Sequence, residues 1–164
     1  MKIILRKASA EDMLQIHTLV YELAVFEKAP EQVSTTEEVY RRDGFEENRF
    51  DVIVAEDTDL PKEKSIIGMA LTYWAYSTWK GKYLWLEDLI VTENYRGKGI
   101  GKMLFDSVLE KCIEEQAELL RWQVLDWNNP AISFYDKYNT FYQKEWVTCK
   151  LSIEAIKEAV KKPI

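Results

Sequence analysis

LWLEDLIVTENYRGKGIGKM, residues 84–103, carries an apolar run into a glycine-rich turn and then into the start of an amphipathic stretch. The run is rich in β-branched and aromatic residues and reads as a strand, while Leu104, Val108, Leu109 and Cys112 fall on one face of a helix from about Gly99 to Glu115. A strand, a glycine turn and a helix start together form an anion site: glycine lets backbone approach closely, the first helical amides have no partner, and the helix dipole favours negative charge. Arg96, Lys98 and Lys102 add positive charge there, which points to a phosphate-bearing ligand. On pattern alone, Gly97, Gly99 and Gly101 could equally serve only to shape the turn.

Spacing narrows the ligand. A nucleoside-triphosphate loop needs four residues between its glycines and Ser or Thr after its lysine; here three residues separate Gly97 from Gly101, and Met103 follows Lys102. A dinucleotide loop needs G-x-G-x-x-G in a parallel βαβ unit, whereas here G-x-G-x-G follows a meander of strands.

The meander comprises FDVIVAE, SIIGMALTYWAYS and KYLWLEDLIV, three consecutive antiparallel strands. Ahead of them KIILRKA reads as a strand. Ser9 and Asp12 form a capping pattern for a helix from about Ala10 to Phe26, with Met13, Ile16, Val20, Leu23 and Ala24 inward. Ser34 and Glu37 repeat the capping pattern before a short helix ending near Gly44. After the glycine turn and its helix come a strand LLRWQVLDW, a short helix opening around Pro130, a final strand pair around TFYQKEWVTCKLS and a charged helix from about Ile153. The chain is mixed α/β, one domain over residues 1–164, without repeats or linkers.

Composition excludes several classes. No apolar run approaches the roughly 18–20 residues that span a bilayer, and the first residues lack a signal peptide's core, so no membrane role and a cytoplasmic location are expected. A net charge of −6 argues against phosphate-backbone binding and hence against a nucleic-acid partner. It permits a cationic substrate, though an acidic solubility charge reads the same way. Cys112 and Cys149 lack paired spacing and read as buried spare thiols; with His17 the single histidine, no metal site is expected.

Glu87 and Asp88 interrupt the apolar run, and strict alternation sends them to opposite sheet faces. A buried carboxylate without a partner binds a proton or is paired. An internal ion pair to Arg or Lys is the structural alternative. Function asks for something similar, because an alkyl ammonium with a pKa of about 10.4 must lose a proton before its nitrogen can attack a carbonyl.

YRGKGIG resembles the R-x-x-G-x-G signature of the GCN5-related N-acetyltransferases (GNAT), with Arg96, Gly97, Gly99 and Gly101 at motif positions. ELAVFEKAPEQV, DGF, YSTWKGKYLWLEDLIV and VLDWNNPAISFY resemble the diamine (spermidine/spermine) and thialysine acetyltransferase branch, a likeness covering most of the chain. The resemblance implies the GNAT fold, a mixed, mostly antiparallel central sheet with splayed strands flanked by helices. It implies acetyl coenzyme A as co-substrate, its diphosphate in the 96–102 loop and its pantetheine along the backbone of Leu89 and Val91, with Asn128 touching the same arm. It puts Glu87 where a proton leaves the amine through water, Asp88 and Glu27 around the cationic substrate, and Trp79 as an aromatic wall. Trp79 reads equally well as core.

Expelling a thiolate calls for a nearby proton donor. In WNNPAISFYDKY, Asn128 or Asn129 can cap a helix begun by Pro130; taken alone Phe134 and Tyr135 are packing aromatics, and the resemblance makes Tyr135 the general acid. Asn139 stands where many relatives carry glycine, and asparagine tolerates a left-handed backbone.

The expected activity is acetylation of a primary amine of a small cationic substrate, a diamine, polyamine or thialysine/lysine analogue, by direct attack in a ternary complex. The alternatives are a GNAT acting on a protein N-terminus or aminoglycoside, and a noncatalytic acyl-coenzyme A module. Relatives are commonly dimers, and Trp146, Val147 and Leu151 would supply apolar surface for a homodimer.

Overall fold

The computed structural model describes residues 1–161, so the last three residues of the KEAVKKPI tail lie outside the described residues. The chain divides into two compact units, Met1–Gln123 and a second from Val124 onward.

The first unit is built on one sheet, in the order β1 (Ile3–Lys7), β2 (Asp51–Asp57), β3 (Ile66–Ser77), β4 (Gly81–Val91) and β5 (Leu120–Arg121). The first four strands pair antiparallel and β5 runs parallel to β4. α1 (Met13–Phe26) and α2 (Glu37–Arg41) precede β2, and α3 (Ile100–Glu114) follows β4. Alternation sorts the core. Val52, Val54, Met69 and Leu71 meet Met13, Ile16 and Leu19 of α1 on one face. A Cβ on Gly68, the neighbour of Met69, would lie 3.3 Å from Leu104, so α3 covers the opposite face with Ile100, Leu104, Phe105 and Val108 buried.

The capping box at Ser9 forms, its N–H donating to Asp12 Oδ2 at 2.7 Å, and Arg6 grips the same carboxylate and holds it at about 2, burial opposing but outweighed by hydrogen bonds from Arg6 and Ser9. α2 is capped differently from the expectation. Thr36, not Ser34, accepts from Val39 N–H at 3.3 Å, because Thr36 immediately precedes the first helical residue. α2 then widens into a π-turn over Arg42–Glu46, where Gly44 lies against the ring of Phe50.

β4 decides the rest. Its register with β3 passes from Thr72↔Leu86 to Leu71↔Asp88, leaving Glu87 as an extra residue in a β-bulge. Pairing with β5 covers only Leu84 and Trp85, so from Leu86 onward that edge of β4 has no strand partner among the described residues. The expected splay is present. The nine-residue strand LLRWQVLDW is not: only Leu120 and Arg121 pair, since the diverging β4 offers no further ladder.

In the second unit Asn128 caps α4 (Asn129–Tyr135), accepting from Ala131 N–H at 3.3 Å, and Asn139 adopts the left-handed backbone expected of it. The strand pair around TFYQKEWVTCKLS does not form. Residues 143–152 are exposed and carry no ladder among the described residues, so their β-propensity has no cross-strand partner. Phe141, Trp146, Val147 and Leu151 stand in solvent, and α5 (Ile153–Lys161) follows. Cys112 is half-buried, but Cys149 is exposed, against the expectation of two buried thiols.

Gly68 pairs with Val91 beyond the bulge, and a Cβ on it would stand 2.8 Å from the carbonyl oxygen of Ile90. Backbone cannot retreat as a side chain can, so Gly68→Ala is expected to destabilise by about 1–3 kcal/mol, read by urea denaturation. An unchanged midpoint would contradict this packing.

Candidate active site

The bulge overturns strict alternation at the acid pair. Glu87 and Asp88 do not part to opposite faces; both line one cavity of about 360 Å³. Its other walls come from Thr35, Val39 and Tyr40 around α2, Asp43 of the π-turn, Arg49 and Phe50 ahead of β2, and Leu71 and Tyr73 of β3. The aromatic wall is braced, with Tyr40 edge-on to Phe50 at 5.7 Å and to His17 at 5.8 Å, and His17 Nε2 donating to Thr35 O at 2.8 Å. The single histidine is thus a prop for the wall.

Glu87 is exposed but fixed: Trp85 Nε1 donates to its Oε2 at 2.7 Å, and the Tyr73 hydroxyl bonds to it as well. Trp85 and Tyr73 stack at 6.3 Å. Burial, with the Glu87 charge adding to it, pushes the Tyr73 phenol up to about 12. Asp88 is half-buried, and removal from water, reinforced by the charges of Glu87 and Glu27, pushes its carboxyl up to about 7. Among the described residues neither Glu87 nor Asp88 pairs with a lysine or arginine, so the internal ion pair is not their explanation. Glu27, closing α1, lies near enough for its charge to act on Asp88, and its own carboxyl is raised by partial burial.

The same bulge changes which backbone groups reach the open edge. Ahead of it Leu84 N–H donates to Leu119 O, on the β5 side. Beyond it Thr92 N–H donates back to Ile67 O of β3, so Leu89 and Val91 turn their N–H and C=O outward. Val91 O accepts from Arg96 Nε at 2.9 Å.

Next along the chain the glycine turn takes the expected shape. Gly97 and Gly99 have φ of +73° and +83°, a left-handed backbone that favours glycine, and no atom lies within 4 Å of where a Cβ would stand on either. Met103 N–H closes the first helical bond onto Gly99 O at 3.1 Å, so the amides ahead of it have no i−4 acceptor. This open cradle of amides at the start of a 15-residue helix fits a diphosphate. The charged side chains act locally. Arg96 also reaches Glu22 at 3.5 Å and lies over the Phe26 ring at 5.2 Å; Lys98 donates to Asn94 O at 2.9 Å; Lys102 pairs with Asp106 one turn on. A Cβ on Gly101 would stand 3.8 Å from the Val91 side chain, so the loop lies against the end of β4.

A sheet opened beside a bulge, with an amide cradle opposite the opening, is a specific combination, and comparison with known proteins agrees with it. The sequence pattern of the acetyltransferase (GNAT) family matches residues 11–141. The chain belongs to the GNAT family. It is an N-acetyltransferase, similar to the bovine thialysine N-epsilon-acetyltransferase (40% identical over 137 residues, 81% of each chain) and the mouse protein of that name (36% over 161 residues, 94% of this chain and 95% of the other). An integron cassette protein from the mobile metagenome of V. cholerae shares the fold at TM-score 0.77, 20% identity and 99% of both chains.

Trp79, Asn128 and Tyr135 are not among the residues that line the cavity. Trp79 sits at the tip of the β3–β4 hairpin and is 84% exposed, which also overturns its reading as core. Ser77 lies six steps along β3 from Leu71, which is opposite Asp88, roughly 20 Å at about 3.3 Å per step. Asn128 and Tyr135 belong to the second unit. Tyr135 ends α4 and is buried, and burial, with Tyr142 adding to it, lifts its hydroxyl to about 12. Tyr40, Tyr73, Trp85, Asp43 and Arg49 were missed by sequence reasoning. Trp85 and Glu87, two apart on one strand, carried a same-face signal; the others depend on tertiary packing.

Asp88→Asn gives a thermodynamic check. A carboxyl raised from about 4 to about 7 binds its proton more tightly when folded, so ionisation destabilises the wild type progressively as pH rises through that window. The variant lacks this loss. Its melting temperature relative to wild type is expected to climb between pH 4 and 7 and then level off; a gap independent of pH would show that Asp88 is not perturbed.

Proposed function

We propose that the protein moves an acetyl group from acetyl coenzyme A to a primary amine of a small cationic substrate, by direct attack in a ternary complex. The observation that carries this is the acid pair placed in one cavity by the bulge, with neither carboxylate paired to a lysine or arginine among the described residues. Thialysine acetylation in the curated relatives supports a small amine.

Bound acetyl coenzyme A would supply an activated acetyl thioester. Amides of Gly97, Gly99 and Gly101, with Arg96, Lys98 and Lys102 around them, hold its diphosphate, and the outward backbone of Leu89 and Val91 holds its arm, with Asn128 on the same arm. The Leu89 N–H faces the open edge and is the donor we assign to the acetyl oxygen. Asp88 and Glu27 attract the substrate ammonium. Glu87, steadied by Trp85, takes the proton from the amine through water before attack. Tyr135 gives its hydroxyl proton to the departing sulfur; with its hydroxyl raised to about 12 it stays protonated across the working range. None of these roles requires a metal. We further place the enzyme in the cytoplasm as a homodimer, with the exposed Trp146, Val147 and Leu151 as apolar surface between copies.

The direct test is thiol release from acetyl coenzyme A with mass detection of product across small amines at pH 7–9. Diamines or lysine analogues should be acetylated, and Tyr135→Phe should lower kcat by about 10²–10⁴-fold with little change in KM for the amine. A Tyr135→Phe enzyme of full kcat would remove that residue from the chemistry. Because Asp88 ionises near neutrality, KM for the amine should fall about tenfold from pH 6 to pH 8 and lose this trend in Asp88→Asn.

A further inference from the structure

The cavity is not uniformly acidic. Glu87 and Asp88 line it from β4, and Arg49 lines it from the segment entering β2. Asp43 is already engaged, accepting from Arg42 Nε at 2.7 Å. Arg49 donates from Nε to Glu47 Oε2 at 2.6 Å, and its Nη2 reaches that same oxygen. Its remaining N–H groups have no acceptor among the described residues. The side chain is 66% exposed, while its base is fixed: Arg49 N–H donates to Asp43 O at 2.8 Å, and Phe50 beside it is packed under Gly44.

A substrate carrying only positive charge gains at Glu87 and Asp88 and loses at Arg49. A substrate with an amine at one end and a carboxylate at the other meets opposite charge at both. We propose that Arg49 determines specificity by binding the carboxylate of an α,ω-diamino acid whose terminal amine lies at Glu87 and Asp88, a proposal that rests on the acetyltransferase reading above. The guanidinium fork matches a carboxylate with two parallel hydrogen bonds, and its charge persists at every working pH. Glu47 occupies Arg49 with one carboxylate oxygen in a solvent-exposed pair, a weak hold that a substrate carboxylate can replace like for like. The cavity's size, about 360 Å³ and near the lower end of the roughly 300–1,000 Å³ of small-molecule sites, suits a short amino acid better than a long polyamine.

Lysine and cadaverine differ only by the carboxylate, and lysinamide keeps the α-amine while removing the negative charge. Steady-state rates with the three are expected to favour lysine in the wild type. Arg49→Gln should lower kcat/KM for lysine by about ten- to a hundredfold, chiefly through KM, while cadaverine and lysinamide, relieved of a like charge, should hold their rates or gain modestly. Arg49→Lys should restore part of the lysine rate, and the retained cadaverine rate reports that the variants are folded. Equal losses on all three amines, an unchanged lysine rate in Arg49→Gln, or a wild-type preference for cadaverine would overturn the role of Arg49 while leaving acetyl transfer intact. A wild type that acetylates no amine would overturn the acetyltransferase reading and this proposal with it.

Discussion

One inserted residue in β4 governs the site. Without the bulge at Glu87, successive side chains would alternate and the two carboxylates would point apart, one of them into the face covered by α3. The bulge keeps both on one cavity. It also switches the parity of the backbone, so that groups which ahead of it turn to β5 at Leu84 and beyond it turn outward at Leu89 and Val91 both face the same edge. β5 is lost after Trp85, which leaves the outward groups of Leu89 and the N–H of Val91 without a strand partner among the described residues, while Val91 O accepts from Arg96. A single irregularity thus sets the acid pair, the exposed backbone and the opening between strands, consistent with the tendency of bulges to aim side chains at functional sites.

The electrostatics follow from that geometry. The rest of the first unit satisfies its acids well: Arg6 holds Asp12 and Glu56, Lys111 holds Asp51, and Asp57 takes three donors from Lys2, Asp59 and Tyr95. Asp88 is the exception, half-buried beside two other carboxylates and raised toward neutrality. A fold that pairs Asp12, Glu56 and Asp51 and leaves Asp88 without a cation among the described residues stores an attraction for an incoming positive charge. Such strain concentrates at functional sites, where a ligand and not the protein completes the pairing.

Much of this was legible in the residues. The glycine turn announced itself because left-handed backbone at Gly97 and Gly99 is a demand few other residues meet. Glu87 and Asp88 were visible as charges inside an apolar run, and the meander as three β-rich stretches. Their common orientation is hidden in the sequence, because a bulge is a relation between two strands and the residues of β4 alone do not specify its register. Arg49, Asp43 and Tyr40 were hidden for a similar reason: they reach the cavity through the π-turn after α2, which pattern rules read as a helix end. The strand pair around TFYQKEWVTCKLS failed in the other direction. Its residues favour strands, but a strand exists only where a partner edge accepts it, and propensity reports the first condition alone.

The C-terminal turn of α1 joins the two halves of the site. Glu22 accepts from Glu93 N–H at 3.0 Å and pairs with Arg96, and the Phe26 ring lies beneath the Arg96 guanidinium. Arg96 in turn occupies Val91 O, so the glycine cradle, the open edge of β4 and α1 are fastened through one side chain. One residue beyond Phe26, Glu27 acts on Asp88. The motif arginine is therefore a strut that fixes the cradle against the strand whose backbone it faces. Because α1 carries both the strut's anchor and the third acid, a shift of that helix would move the anion cradle and the amine pocket together, which preserves the spacing that transfer between two bound substrates needs.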